Sequence, residues 1–212
     1  MKTVLVETKL YDINDLSLEV NKHLKTKVLE RYWDWNVEGE YWNDWIIENC
    51  EAELEQLGFD NIIVQYSDFS SQGYGARILC EIALLDAMKL LEINTTDSVQ
   101  QLINSNMLEF DDLKITAIDH RYFHDNTLTI NTPEYYDDQI RCEDELRDLT
   151  SYVASRTLDY IKAKSKDVYR KLQNTYFDLT SEEIVLESLQ DELFTQDGKI
   201  FDTWHHNIIA AA

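Results

Sequence analysis

Basic residues are scarce in this sequence. Its 212 residues include 19 lysines and arginines against 41 aspartates and glutamates, a formal net charge of −22. From Tyr32 to Ala76 there is no lysine or arginine at all. Such a charge repels nucleic acid and anionic membrane, so we expect neither to be bound directly. The expected partner is a protein with a basic surface.

Cysteines and long apolar runs are also few. Cys50, Cys80 and Cys142 are odd in number, lie far apart and form no C-x-x-C motif. Together with the absence of a signal peptide at the N-terminus, this predicts reduced thiols and a cytoplasmic protein, in a host cytosol. The best apolar run, Ile78 to Leu85, is short and contains Glu81, so no membrane-spanning segment is predicted.

Several sequence motifs of phosphate-binding loops and catalytic serines are missing. Neither G-x-x-x-x-G-K-[ST] nor G-x-G-x-x-G occurs, and no G-x-S-x-G surrounds a serine. The segment from Ser70 to Gly75 is therefore interpreted as a hairpin turn in which Gly73 and Gly75 supply positive φ. An anion-binding loop is the alternative. Cys80 lies in a predicted buried strand and is assigned to the core.

One hairpin end gathers residues suited to acid–base work. His120 and Tyr122 alternate at the end of a predicted strand and His124 follows at its turn; in extended backbone these three side chains share one face. With Gln72 and Arg77 they define an alternative function, an enzyme acting on phosphate groups. Two histidines do not define a metal site, and no cofactor or metal is predicted. A polar hairpin tip is the simpler interpretation.

Hydrophobic periodicity and turn residues predict an α+β fold, a small antiparallel sheet packed against helices with a long C-terminal helical section. The chain is expected to form one domain, 1–212, in which 1–133 holds helices and the sheet and 134–212 is mainly helical. Predicted strands cover 3–7, 61–68, 76–82, 113–122 and 127–132. Predicted helices cover 15–32, 40–57, 84–91, 97–104, 139–177 with a bend near 162–166, and 180–193.

The helix predicted over 40–57 has an acidic side. At 100° per residue, five of its carboxylates fall within about 80° of each other, namely Glu40, Asp44, Glu48, Glu51 and Glu55. Trp42, Trp45, Ile46, Cys50, Leu54 and Leu57 fall on the opposite, apolar side. A later acidic segment is expected to extend the row through Asp137, Asp138, Glu143 and Asp144. These nine carboxylates are the predicted partner-binding residues.

The segment Tyr66-Ser-Asp-Phe-Ser-Ser-Gln-Gly-Tyr-Gly-Ala76 resembles the FSGFxSQGDGA signature of small phage and prophage proteins, sometimes labelled antitoxin-like. A Trp-rich segment before Leu57-Gly-Phe59 and the Thr180-Ser-Glu-Glu183 helix start are similar too. Asp68 replaces a glycine of the signature, and Tyr74 replaces its aspartate. The resemblance implies a phage or mobile-element origin and no established reaction.

These observations predict an acidic phage-type binding protein that inhibits or modulates a host nucleic-acid-handling protein by covering its basic surface. An antitoxin-like partner that neutralises a toxin is a second alternative beside the enzyme. The basic residues cluster at Lys162, Lys164, Lys166, Arg170 and Lys171. We expect this cluster to dock on an acidic face of the same chain or of a second copy in a homodimer.

Overall fold

The structure is a computed structural model that describes residues 7–39, 41–67, 69, 74–94, 96, 112–118, 123–131 and 143–201. The helices are α1 (Ile13–Ser17), α2 (Lys22–Tyr32), α3 (Asp44–Gln56), α4 (Leu84–Leu90), α5 (Glu143–Leu179) and α6 (Glu182–Ser188). The strands are β1 (Phe59–Tyr66), β2 (Ala76–Ala83), β3 (Asp112–Ala117) and β4 (Leu128–Asn131). The predicted α+β class is confirmed.

The four strands form one sheet in the order β1-β2-β3-β4, and every neighbouring pair is antiparallel. The register places Tyr66 opposite Ala76 and Cys80 opposite Ile115. Strand β2 is central and its residues are mostly buried, as its apolar composition indicates. Helix α3 packs on β1, and Gly58 joins the two with a φ of +90° that favours glycine.

The chain divides into two compact units, and the expectation of a single domain stays a prediction. Unit 1 combines Met1–Trp42 with Asn174–Ala212, and unit 2 is Asn43–Gln173. The boundary falls inside α5, which runs without interruption through the segment where a bend was predicted. Unit 2 holds the sheet, α3, α4 and most of α5. Its buried residues include Leu54, Ile78 and Leu113.

Unit 1 has its own apolar cluster, formed by Tyr11, Leu16, Leu24, Val28, Val185, Leu189 and Phe194. Phe194 bridges to both Tyr11 and Ile200 in antiparallel fashion. The predicted turn at Asp197-Gly198 is confirmed, since Gly198 has a φ of +81° and donates its N–H to Thr195. None of the described helices combines the length and the apolar character that crossing a membrane requires.

Several predicted helix boundaries are wrong. Asp12, not Asp15, caps the first helix: its carboxylate accepts the N–H of Asp15, and the Asp15 carboxylate accepts the N–H of Asp12 in a capping box. This helix stops at Ser17, and Val20, predicted on the buried side, is 87% exposed. Near the C-terminus Ser181 caps α6, which ends at Ser188 rather than Leu193. The strand predicted at 3–7 and the helix at 97–104 lie almost wholly outside the described residues.

Candidate functional site

Helix α3 carries the predicted acidic row on its solvent side. Asp44, Glu48, Glu51 and Glu55 follow one another at intervals of three or four residues, so neighbouring carboxylates lie about 5–6 Å apart at Cβ. Glu48 and Glu55 are exposed, while Asp44 and Glu51 are partly buried. Ile46, Cys50 and Leu54 form the buried side of the same helix. The row is therefore held on a rigid, packed element; we call these four residues the acidic row.

The acidic row has no cationic partner within the described part of the chain, where no lysine, arginine or histidine forms an ion pair with it. Partial burial raises the pKa of Glu51, and the neighbouring carboxylates of Glu55 and Glu48 raise it further. Negative charge is concentrated here without compensation, which is unfavourable for the isolated helix.

Trp45 differs from its prediction. It was expected on the apolar side, but it is 59% exposed and lies beside the acidic row. The reason is the angular position of the residue. Successive helical residues differ by about 100°, so the side chain of Trp45 projects about 60° from that of Glu48. It projects much further, by about 100° and 180°, from those of the buried Ile46 and Leu54. An exposed tryptophan on a rigid helix is a frequent anchor in protein interfaces.

The other flank of α3 is neutralised. Glu53 accepts a hydrogen bond from Lys164 of α5 at 2.5 Å. Burial lowers the pKa of Lys164, but the hydrogen bond to Glu53 and the surrounding negative charge outweigh it, so the pKa is raised overall. Cys50 lies between these elements, and burial raises its pKa to about 11. Burial likewise raises the pKa of Cys80 to about 12, so both thiols are protonated at neutral pH.

Part of the predicted basic cluster is paired within the chain. Besides Lys164, the ammonium of Lys166 lies 3.4 Å from Asp125, and Lys171 pairs with Asp167 at 3.0 Å. Lys164 and Lys166 thus pair with carboxylates of other elements of the same chain, whereas Lys171 pairs within its own helix; docking of the whole cluster on an acidic face stays a prediction. Arg170 forms no ion pair with a described carboxylate.

The hairpin end at His124 forms part of a cavity. The 3₁₀ turn Asp125–Thr127 leads into β4, and the carboxylate of Asp125 is buried, with 3% of the residue exposed. His124 Nδ1 lies 2.9 Å from Asp125 Oδ1 and also accepts the backbone N–H of Asn126 at 3.1 Å. One ring nitrogen cannot donate to the first and accept from the second at once, so only one of these two contacts can be a hydrogen bond in a given tautomer.

The cavity has a volume of about 260 Å³ and lies between Tyr74–Ala76, the His124–Asp125 pair and the α5 positions Lys166, Tyr169, Arg170 and Gln173. All of these residues belong to unit 2. Among the described residues no group of three or more His, Cys, Asp or Glu side chains is arranged to hold a metal ion. The cavity thus combines one buried carboxylate with two cations and an imidazole.

Gly75 has a different role from the one predicted. Its φ is not among the positive values of the described glycines, which occur at Gly39, Gly58 and Gly198. A Cβ at position 75 would instead lie 3.1 Å from both the His124 ring and the Phe123 carbonyl oxygen. Ser67 and Gly75 exchange backbone and side-chain hydrogen bonds that extend the β1–β2 pair. A larger residue would require these neighbours to shift by a few tenths of an ångström, so close packing favours glycine here.

Arg77 is buried and occupied by structural contacts. Its Nε donates to Gln65 at 2.7 Å, its Nη1 lies within 3.5 Å of Thr127 and of the Ile118 carbonyl, and its guanidinium stacks on Phe123. These contacts tie β1, β2 and the β3–β4 connection together. The chemical role predicted for Arg77 in the enzyme alternative gains no support from this geometry.

The remaining predicted residues are only partly described. Asp144 is in the first turn of α5, almost fully exposed and 3.9 Å from Arg147. Glu143 is the first residue of that helix. Predicted residues outside the described part of the chain are Glu40, Gln72, His120, Tyr122, Asp137 and Asp138. Sequence patterns missed the cavity, although the His124-Asp125 pair at a predicted hairpin tip was one available signal.

Fold and surface together define an α+β protein with an acidic helix face that no cation of the described residues compensates. The chain belongs to the family described as a domain of unknown function, DUF8835, whose sequence model matches residues 42–182. That match includes α3, the sheet, α5 and the residues that line the cavity. No curated protein and no solved structure gives a significant match to the chain.

Proposed function

We propose that this protein is an acidic binding protein that covers a basic, nucleic-acid-binding surface of a partner protein and so inhibits or modulates it. The observation that carries the proposal is the acidic row of α3, four carboxylates on one packed helix without a cationic partner among the described residues. Like charges arranged this way cost stability locally. A basic partner surface offers the compensation that the described part of the chain does not.

The spacing of the row suits a surface that binds nucleic acid. From Asp44 to Glu55 the helix rises about 16 Å, so the four charges are about 5.5 Å apart along its axis. One strand of B-DNA presents a phosphate about every 3.4 Å of axial rise. The row therefore has somewhat more than half the linear charge density of one strand. Lysine and arginine side chains that contact phosphates can adjust to that difference.

Trp45 adds an apolar anchor to the charge. Its indole is mostly exposed and neighbours Asp44 in sequence and Glu48 one helical turn away. Interfaces commonly place a tryptophan inside a ring of polar residues, and such residues provide much of the binding energy. A partner would thus meet both a negative field and a hydrophobic contact. This combination favours a protein over a simple polycation.

The experiment begins with capture of the partner from host lysate on the tagged protein, eluted with a salt gradient. The purified partner is then titrated against the wild type and the Asp44→Lys, Glu48→Lys double variant. We expect affinity to fall at least tenfold in the variant, because two favourable charge pairs become repulsive. We also expect elution to be steeply salt-dependent, and DNA or RNA to compete with this protein for the partner.

The matched control is the Glu183→Lys, Glu187→Lys double variant. These two glutamates are exposed on α6 with the same four-residue spacing, so the net charge changes equally. Equal affinity of both double variants would contradict the proposed role of the acidic row. A salt-tolerant complex that depends on Trp45 but not on the acids would instead favour the antitoxin-like alternative.

A further inference from the structure

The cavity beside Asp125 has the composition of a binding site that the proposed protein-binding role does not use. The buried Asp125 is one of its lining residues, and Lys166 and Arg170, one turn apart on α5, are two others. Its volume of about 260 Å³ exceeds several times the roughly 30 Å³ that a water molecule occupies in the liquid. A tetrahedral oxyanion with a few waters fits in that space.

Asp125 is the residue that restricts what can bind. Its Oδ1 faces His124 Nδ1, whereas its Oδ2 is buried and receives no hydrogen bond from any described group. Lys166 Nζ lies 3.4 Å from Oδ2 and balances its charge without making a hydrogen bond. A buried carboxylate oxygen without a donor is unfavourable. A ligand that brings an O–H group to Oδ2 would satisfy it.

The cations determine the charge of that ligand. Lys166 and Arg170 contribute two positive charges against the single carboxylate of Asp125, and no described carboxylate pairs with Arg170. The amide of Gln173 is a further lining group that can donate. The two cations therefore favour an anion in the cavity, while Asp125 Oδ2 requires a hydrogen-bond donor.

We propose that this cavity binds a protonated phosphate group, whose P–OH donates to Asp125 Oδ2 while its other oxygens accept from Lys166 and Arg170. Inorganic phosphate keeps at least one P–OH at neutral and mildly alkaline pH. Sulfate has the same shape and charge but has no proton to donate, and a phosphodiester also lacks one. The carboxylate should therefore reject sulfate and nucleic-acid backbone and accept phosphate.

The experiment is calorimetric titration of the full chain at pH 7.5 and low ionic strength, with inorganic phosphate and with sulfate. We expect phosphate to bind at least about tenfold more tightly, because sulfate would leave two oxygens in contact without a proton between them. The Asp125→Asn amide can donate to either anion, so we expect it to reduce this preference to within about twofold. Equal affinity of the wild type for both ions would overturn the proposal.

A second variant tests the same phosphate site if the Asp125→Asn variant does not fold. Arg170→Met removes an exposed cation and should weaken phosphate binding at least about tenfold, since a charged hydrogen bond is lost. Lys162→Met is the control, because it changes the net charge equally on the same helix but does not line the cavity. Equal effects of the two variants, or the absence of phosphate binding to the wild type, would overturn the proposal.

Phenyl phosphate distinguishes the free ion from the phosphate group of an ester, because a monoester loses its last proton with a pKa of about 6. Binding at pH 5.5 that is lost at pH 7.5 supports the proposal and extends it to phosphorylated ligands. Exclusion at both pH values supports it for the free ion alone. Binding at pH 7.5 as tight as that of inorganic phosphate would overturn selection by Asp125. The result is independent of the partner-binding proposal.

Discussion

Helix α3 and the unit 2 part of α5 both carry clusters of like charge, but the clusters differ in how far they are paired. On α5, Lys164, Lys166 and Lys171 each have a carboxylate partner within 3.4 Å. On α3, the acidic row has no described partner, and partial burial together with the neighbouring carboxylates raises the pKa of Glu51. Both clusters are visible in the sequence, yet only the structure shows that one is largely neutralised and the other is not.

This difference shows that pairing, rather than the number of charges, separates a structural cluster from a candidate binding surface. An ion pair compensates part of the charge of each member, so a lysine paired with a carboxylate attracts a partner protein less than an unpaired one does. An unpaired row costs the folded chain some stability and keeps its field available to a partner. Helix α3 contains both cases. Glu53 is paired with Lys164, whereas Glu48, on another side of the helix, has no ion-pair partner among the described residues.

The largest effect expected is on the packing that holds the acidic row in place. Leu54 is fully buried on the side of α3 opposite the solvent. Leu54→Ala should lower the free energy of unfolding by about 2–5 kcal/mol, since it removes buried methyl groups and leaves a cavity. Urea denaturation followed by circular dichroism measures this loss. Glu55→Ala, one residue further on and exposed, is the control and should change stability by less than about 0.5 kcal/mol.

If Leu54→Ala and Glu55→Ala had similar effects, the two sides of α3 would not differ in burial, and the row could not be a fixed surface. A loss confined to Leu54→Ala would show that the row rests on a packed helix. Partner binding by any folded Leu54→Ala protein should then weaken as well, because the carboxylates would lose their common orientation.

The sequence predicted much of α3. Its periodicity identifies the buried residues Ile46, Cys50 and Leu54, and Gly58 marks its end, as the structure confirms. The start at Asp44 was not predictable from periodicity. Asn43 forms no side-chain cap and instead donates to the hydroxyl of Tyr66, a residue 23 positions away on β1. Tertiary contacts of this kind override local helix signals.

The cavity was beyond sequence analysis for a related reason. Asp125 and Lys166 are 41 positions apart, and the aspartate lies in a polar segment that predicts an exposed turn. Only the packing of α5 against the β3–β4 connection buries the carboxylate and brings the ammonium to it. Hydrophobic patterning reports which faces are apolar, but it does not report which polar side chains meet.

An intermediate effect on stability is expected at the ion pair between α3 and α5. Glu53→Gln removes the ion pair with Lys164 and should lower the free energy of unfolding by up to about 1 kcal/mol, the usual range for a partly exposed pair. Glu48→Gln, the same substitution at an unpaired position, should not lower it. Urea denaturation in low salt and in 1 M NaCl separates the cases, because salt screens the pair. Equal effects of the two variants would remove the distinction between paired and unpaired flanks.

The smallest effect expected has the opposite sign. Glu51→Gln should raise the free energy of unfolding by about 0.2–0.5 kcal/mol at pH 7, because the cost of partly burying a carboxylate and its repulsion from Glu55 and Glu48 are both removed. Since the folded-state pKa of Glu51 lies above its ordinary value of 4.5, the folded chain binds more protons between the two values. The destabilisation by Glu51 is thus present at neutral pH and relieved as pH falls through that window. The stability advantage of the glutamine variant should therefore be smaller at pH 4 than at pH 7 in urea titrations.

The partner affinity of Glu51→Gln, measured in parallel, should fall while its stability rises. A variant that gains stability and keeps full affinity would show that the Glu51 carboxylate has no part in binding.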